Sequence, residues 1–171
     1  MMGKISLAVL CLFGSLSVPA TAEAIRSPVE QALVGQEWGG ELPPLLAQCR
    51  HLTRFDLQRQ QRPLPGLSAH VLLCQGSNLI VLTSLTATDG ERVLDALRLP
   101  RLKRSERLIY PGDCELDGNS DTDFFAVVRF GPHERVDWKS GVRAAWMPDP
   151  ESGKIEVLPT RHIVCWRPTP P

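Results

Sequence analysis

Apolar and polar positions change over quickly along this chain, and only a few stretches keep a period long enough to name an element. The strongest is His70 to Cys74, followed after Gln75-Gly76-Ser77-Asn78 by Leu79 to Thr83. Two apolar runs around a glycine-containing turn predict a β-hairpin, since glycine supplies the positive φ that a tight turn needs. Both arms are almost continuously apolar, so both faces of the hairpin are expected to be buried. Further on, Phe124 to Phe130 is apolar enough for a central strand. Val142, Ala144 and Trp146 alternate with Arg143 and Ala145, Ile155 and Val157 alternate with Glu156 and Leu158, and Ile163 to Trp166 ends the pattern. Breakers at Pro148 to Gly153 and at Pro159-Thr160 separate these runs, and such short connections imply antiparallel neighbours.

Helical signals are fewer. Ser27 as N-cap, Pro28 at the first helical position and Glu30 in a capping box predict a short helix that Gly35 ends. Thr88-Asp89-Gly90-Glu91 also matches a capping box; Val93, Leu94 and Leu97 recur at helical spacing, and Pro100 stops them, which predicts a second helix. Residues Gln36 to Leu67 are rich in Pro, Gln and Arg with little period. They read as irregular, with one short helix around Pro44–Cys49. The expected fold class is therefore α+β, one mainly antiparallel sheet with one or two short helices against it.

The first residues follow a different pattern. Lys4 is a basic start, Ile5 to Leu16 an apolar run, and Ala20-Thr21-Ala22 a small-residue cleavage site. This is the layout of a secretory signal peptide, and the run is too short to span a bilayer. The expectation is a 1–22 leader and a single globular domain over 23–171, with a Pro-rich tail and no transmembrane segment. Cys11 follows Leu10 after too short an apolar core for a lipobox, so the protein is expected to be periplasmic or secreted without a lipid.

Export changes the reading of the cysteines. Beyond Cys11 there are four, Cys49, Cys74, Cys114 and Cys165. An even number in an oxidising compartment predicts two disulfides. No C-x-x-C occurs, which disfavours a zinc site. Of the three pairings, Cys49–Cys74 with Cys114–Cys165 is preferred, because each bond then stays within one half of the chain.

Charge adds little. Lys+Arg and Asp+Glu both number 19, and cleavage removes only Lys4 among them. A near-neutral domain has no global attraction for nucleic acid, and no aromatics interleave the basic run Arg98, Arg101, Lys103, Arg104 and Arg107. That run reads as solvated linker, with polyanion binding as its alternative. The composition is 43% hydrophobic, enough for a packed core.

Candidate chemistry centres on Gly112 to Asp123. Asp113, Glu115, Asp117 and Asp121 fall at alternate positions around Gly118, and carboxylates so spaced can converge oxygens on calcium. The 113–121 loop looks like the calcium loops of integrin-type propeller repeats and, less closely, an EF-hand. It departs from the EF-hand in having Phe124 where a bidentate Glu belongs, and from propellers in being single. The plainer reading, a solvated acidic turn before a buried strand, is preferred. No catalytic residue is assigned: His133-Glu134 does not extend to H-E-x-x-H, Gly66 to His70 lacks the second glycine of a nucleophile elbow, and His51, His70, His133 and His162 read as ordinary polar positions. Trp38, Trp138, Trp146 and Trp166 read as core or rim packing.

The last 60 or so residues resemble a group of small exported Gram-negative proteins of uncharacterised activity. The residues that carry this are Cys114, Asp117-Gly118-Asn119, Phe124 to Val128, Val142, Ala145-Trp146, Gly153-Lys154, Ile163 and Cys165. The resemblance implies a sheet stapled by Cys114–Cys165 with Asp-Gly-Asn as a turn, and no activity. The leading expectation is a non-enzymatic exported envelope protein that binds another protein or a cell-envelope polymer, with no cofactor. The alternatives are a calcium-stabilised structural module and a periplasmic hydrolase.

Overall fold

The computed structural model describes residues 26–39, 41–59, 62–88 and 90–168. The expected 1–22 leader and the last three tail positions lie outside these. Helix α1 (Pro28–Leu33) comes first, then β1 (Glu37–Trp38) and a 3-10 turn at Pro44–Leu46. The strands β2 (Cys49–Arg59), β3 (Arg62–Cys74), β4 (Ser77–Leu85) and β5 (Glu91–Arg98) follow. Then come β6 (Glu106–Ile109), β7 (Cys114–Leu116), β8 (Phe125–Arg129), β9 (Arg135–Asp137), β10 (Val142–Asp149), β11 (Lys154–Leu158) and β12 (Ile163–Trp166).

Among the described residues the fold is β-rich rather than α+β, with three sheets in place of the expected single one. A five-stranded sheet runs β1-β5-β4-β3-β2, a four-stranded sheet β11-β10-β8-β6, and a three-stranded sheet β7-β12-β9. All named strand pairs are antiparallel. The sheets stack in layers with apolar contents between them. Val71, Ile80, Leu82, Leu97, Phe125, Val127, Trp146 and Ile155 fill the space between the five- and four-stranded sheets. Phe124, Ala126, Val128, Val142, Ala145, Ile163 and Cys165 fill that between the four- and three-stranded sheets. Leu33, Leu46, Leu72, Leu79 and Val93 pack on the outer face of the five-stranded sheet, beneath α1 and the 3-10 turn.

The second expected helix is strand β5. Leu94 is an extra residue in the ladder between Leu82↔Asp95 and Thr83↔Val93. The bulge breaks the period of two, and burial on both faces leaves apolar residues at spacings that imitate a helix. Glu91 does not cap; it is buried. The region read as irregular holds β2 and the first part of β3. Strand β2 is the terminal strand of its sheet, with register shifts at Leu52 and Leu57. An edge strand with exposed Arg50, Arg54 and Asp56, a bulge at Leu52 and a second irregularity opposite residues 64–67 of β3 has no clean alternation to read.

Other expectations agree with the structure. Ser27 N–H donates to Glu30 Oε2 at 2.6 Å at the start of α1. The β3–β4 turn is Gln75-Gly76, both at positive φ, and Ser77 and Asn78 belong to β4. Strand β8 is central in its sheet, between β10 and β6. The two disulfides join Cys49 to Cys74 and Cys114 to Cys165, and each links residues directly opposite on paired strands.

The layers are also joined by polar contacts. Asp95 is buried in β5, where Oδ2 accepts from the Ile155 N–H of β11 at 2.7 Å. Oδ1 accepts from Ala96 N–H at 2.9 Å and Arg26 Nε at 2.8 Å. Arg26 Nη2 pairs with Asp95 Oδ2 and donates to the Ile155 carbonyl at 2.7 Å. One carboxylate thus ties the N-terminal segment, the five-stranded sheet and the four-stranded sheet. Glu30, also buried, accepts from Arg98 Nε at 3.2 Å and holds α1 on β5.

Candidate functional site

The outer face of the five-stranded sheet is apolar at one end only. At the other, β2, β3, β4 and β5 carry His51, Arg54, His70, Thr83 and Glu91 beside Trp38 of β1. The bulge at Leu52 creates this grouping. Without it, His51 and Arg54 would lie on opposite faces; with it, they pair with Leu72 and His70, neighbours on one face of β3.

These side chains form a connected chain running inward. His51 Nε2 is 3.2 Å from His70 Nδ1. His70 Nε2 is 2.6 Å from Glu91 Oε2. Glu91 Oε1 is 3.0 Å from an Arg54 guanidinium nitrogen, and the Thr83 hydroxyl is 3.2 Å from Glu91 Oε2. Arg54 also donates to Asp56 Oδ1 at 3.1 Å and Ser68 Oγ at 3.0 Å, and Ser68 Oγ donates to Asp56 Oδ1 at 3.0 Å. Trp38 lies over His70 with ring centres 4.3 Å apart and meets His51 edge-on at 6.2 Å.

His70 is 4% exposed and Glu91 8%. His70 Nε2 and Glu91 Oε1 are buried and make close ionic contacts without completing a hydrogen bond. A nitrogen–oxygen approach of 2.6 Å still requires a proton between the atoms, because two facing lone pairs would repel. Burial pushes the His70 pKa down, against the opposing pull of Glu91, while His51 and Arg54 push the same way as burial. Burial thus favours the neutral form of His70, while Glu91 accepts from Thr83 and faces both Arg54 and His70.

The chain opens into a cleft of about 460 Å³, walled by Trp38, Leu42 and Leu85, with His51, Arg54, His70 and Glu91 as its polar side. Leu85 is 54% exposed at its rim. Such a volume is within the range of small-molecule sites.

The acidic loop is built differently. Asp117 and Gly118 are both at positive φ, and Leu116 and Asn119 exchange backbone hydrogen bonds of 3.0 and 2.9 Å. That is a two-residue turn closing a tight hairpin. Glu115 is held in β7 opposite Val164, and the Asp113 carbonyl accepts from Trp166 N–H. Asp121 N–H bonds Asn119 Oδ1 at 2.9 Å. Strand pairing has taken the backbone that would wrap an ion, and the four carboxylates are not brought together. Among the described residues no group of three His, Cys, Asp or Glu side chains is placed to hold a metal.

Of the other candidates, Trp38 and Trp146 are buried, while Trp138 and Trp166 are 39% and 37% exposed. His162 Nδ1 is 3.8 Å from Asp117 Oδ1 at the surface. In the basic run, Arg98 pairs with Glu30, and Arg101 and Arg107 bond backbone carbonyls. Sequence reading missed the His51–His70–Glu91–Arg54 group. Its available signal was His70 standing inside an otherwise apolar, doubly buried strand. No helix among the described residues is long and apolar enough to cross a membrane. No protein-family model matches the chain, and no curated protein or solved structure matches it either.

Proposed function

We propose that the chain is exported by its 1–22 leader, without lipidation, and that residues 23–171 act in the periplasm or outside the cell as a non-enzymatic binding module. The cleft beside Trp38 is its ligand seat. The observation that supports this is the chain His51–His70–Glu91–Arg54, which runs from buried Glu91 and His70 to exposed His51 and Arg54 at the mouth of an apolar-walled recess. Burying His70 and Glu91 costs free energy that hydrophobic residues of the same volume would not. Glu91 is surrounded by Thr83, Arg54 and His70 and serves to fix the last two. That favours recognition over proton abstraction by the carboxylate. The ligand comes from the cell envelope, a protein or a surface polymer.

The test is titration of the isotopically labelled protein with fractionated envelope extract, followed by NMR. Shifts centred on Trp38, Leu42, His51 and Leu85, and lost in Leu85→Asp, support the reading. Shifts confined to Trp138 and Trp166 move the site to the three-stranded sheet, and no fraction shifting either group overturns it. N-terminal sequencing of the exported protein is expected to begin at Glu23; recovery of Met1 would defeat the export half of the proposal.

A further inference from the structure

The direction of the hydrogen bonds in the cleft is fixed from the inside outward. Glu91 accepts from Thr83 and is ion-paired with Arg54, so as a carboxylate it faces His70 with a lone pair, and the proton of neutral His70 sits on Nε2. His70 Nδ1 is then a lone pair, and the contact of 3.2 Å requires His51 to place a proton on Nε2. A neutral His51 consequently turns the lone pair of Nδ1 outward, and His51 has no hydrogen-bond partner besides His70 among the described residues. Beside it on the same face stands the guanidinium of Arg54, half-exposed and held by Asp56, Ser68 and Glu91. The polar side of the cleft therefore offers one hydrogen-bond acceptor, His51, and one guanidinium donor, Arg54, whose charge is matched by Asp56 and Glu91.

Resting on the reading of this cleft as a ligand seat, we propose that it takes the hydroxyl group of a neutral ligand, with an apolar stem of that ligand between Leu42 and Leu85. A hydroxyl matches both neighbours: it donates to His51 Nδ1 and turns a lone pair to Arg54. A carboxylate suits Arg54 but sets its lone pairs against that of His51. An ammonium can donate to His51 but has no lone pair to accept from Arg54. The walls Leu42, Leu85 and Trp38 supply the area for the stem.

The experiment uses the disulfide-bonded exported protein at a pH well above the histidine range, with hexan-1-ol, hexylammonium and hexanoate as probes sharing one stem. Long-range nitrogen–proton NMR of the free protein is expected to show the Nε2–H tautomer for both His51 and His70. Hexan-1-ol is expected to shift the Leu42 and Leu85 methyls and His51 Nδ1, and to bind about fivefold more tightly than the other two, the worth of one net hydrogen bond. His51→Ala, a substitution at an exposed position, should abolish that preference while the methyl shifts persist. Glu91→Gln, where it folds, should scramble the tautomers. An Nδ1–H tautomer at His51, equal or tighter binding of hexanoate, or a preference unchanged in His51→Ala overturns the proposal. Three probes bound equally defeat it and leave the seat itself standing; if no probe reaches the cleft, the proposal fails, and the wider reading fails with it only when envelope fractions also leave the cleft unshifted.

Discussion

Asp95→Ala is the most direct probe of how the layers are joined. Asp95 is 4% exposed, and its two oxygens take the Arg26 guanidinium, the Ala96 N–H and the Ile155 N–H. Alanine removes all of these acceptors together. The Ile155 N–H of β11 is left buried, and the Arg26 side chain, 16% exposed, loses the counter-charge it faces. Breaking a buried pair from one side costs about 3–5 kcal/mol, most of it the stranded charge. Unfolding entropy of about 2.1 cal/mol/K per residue gives roughly 0.3 kcal/mol/K for a domain of this length. The expected fall in Tm is then about 10–16 °C. Asp95→Asn should recover only part of this, because its amide nitrogen faces an Arg26 N–H in either orientation, with the Ala96 or the Ile155 N–H beside it, donor against donor. Arg26→Met combined with Asp95→Leu should cost less than Asp95→Ala alone, since no charge remains to strand. Differential scanning calorimetry with both disulfides intact measures all three. A drop below about 3 °C in Asp95→Ala would mean that the sheets are held by their apolar contents, with the carboxylate contributing nothing beyond a surface-like pair.

Three further outcomes are expected. Cys114→Ser, Cys165→Ser and the double variant should share one Tm, each losing about 4 kcal/mol in the loop-entropy account of a bond spanning 51 positions; unequal values, or a Cys49–Cys114 peptide in unreduced maps, would contradict the pairing. Val127→Asp puts an unpaired charge between two sheets at a position 5% exposed and should prevent folding or cost several kcal/mol; an unchanged melting curve would remove β8 from the core. Stability should fall as pH drops below about 6.5, because the folded pKa of His70 is lowered and the unfolded chain binds that proton first. The loss grows until pH passes the folded value, and His70→Gln should flatten the slope between neutral pH and that point. Equal slopes would assign the acid sensitivity to other groups.

The parts of the fold legible in the sequence are those whose signals are local. The α1 capping box needs only Ser27, Pro28 and Glu30, and the β3–β4 hairpin needs only two apolar arms and Gln75-Gly76. The number of sheets was not legible, because it depends on which faces are covered and by what. Strand β10 shows the difficulty. Val142, Ala144 and Trp146 alternate in sequence as if on one face, yet the register shift at Arg143 puts Val142 with Ala145 against the three-stranded sheet. Ala144 and Trp146 turn to the five-stranded one. A strand buried on both sides carries apolar residues at every position, so its sequence does not record the slip. The same holds for β5, where a single bulge at Leu94 sufficed to suggest a helix.

The cleft was hidden for a related reason. Its members are spread from Trp38 to Glu91 on five strands, and each one alone has an ordinary explanation: a cap for Glu91, surface polarity for His51, a turn-region cation for Arg54. Only the strand register joins them, and that register depends on the bulge at Leu52, which no residue type in β2 announces. The acidic loop is the opposite case. Asp113, Glu115, Asp117 and Asp121 are conspicuous because they are close in sequence, but their backbone is committed to β7 and its hairpin turn. Proximity along the chain made conspicuous residues whose backbone is already paired, and distance along the chain concealed a group that the five-stranded sheet brings together. The discriminating feature is burial of a charged side chain, because an exposed acidic turn needs no partner. Glu91 and His70 are removed from water and must find partners, and the identity of those partners fixes the hydrogen-bond direction at the cleft mouth. In a β-rich chain of this kind, a lone histidine within a doubly apolar strand is thus a better pointer to a site than a run of carboxylates, since only the first demands that the rest of the fold answer it.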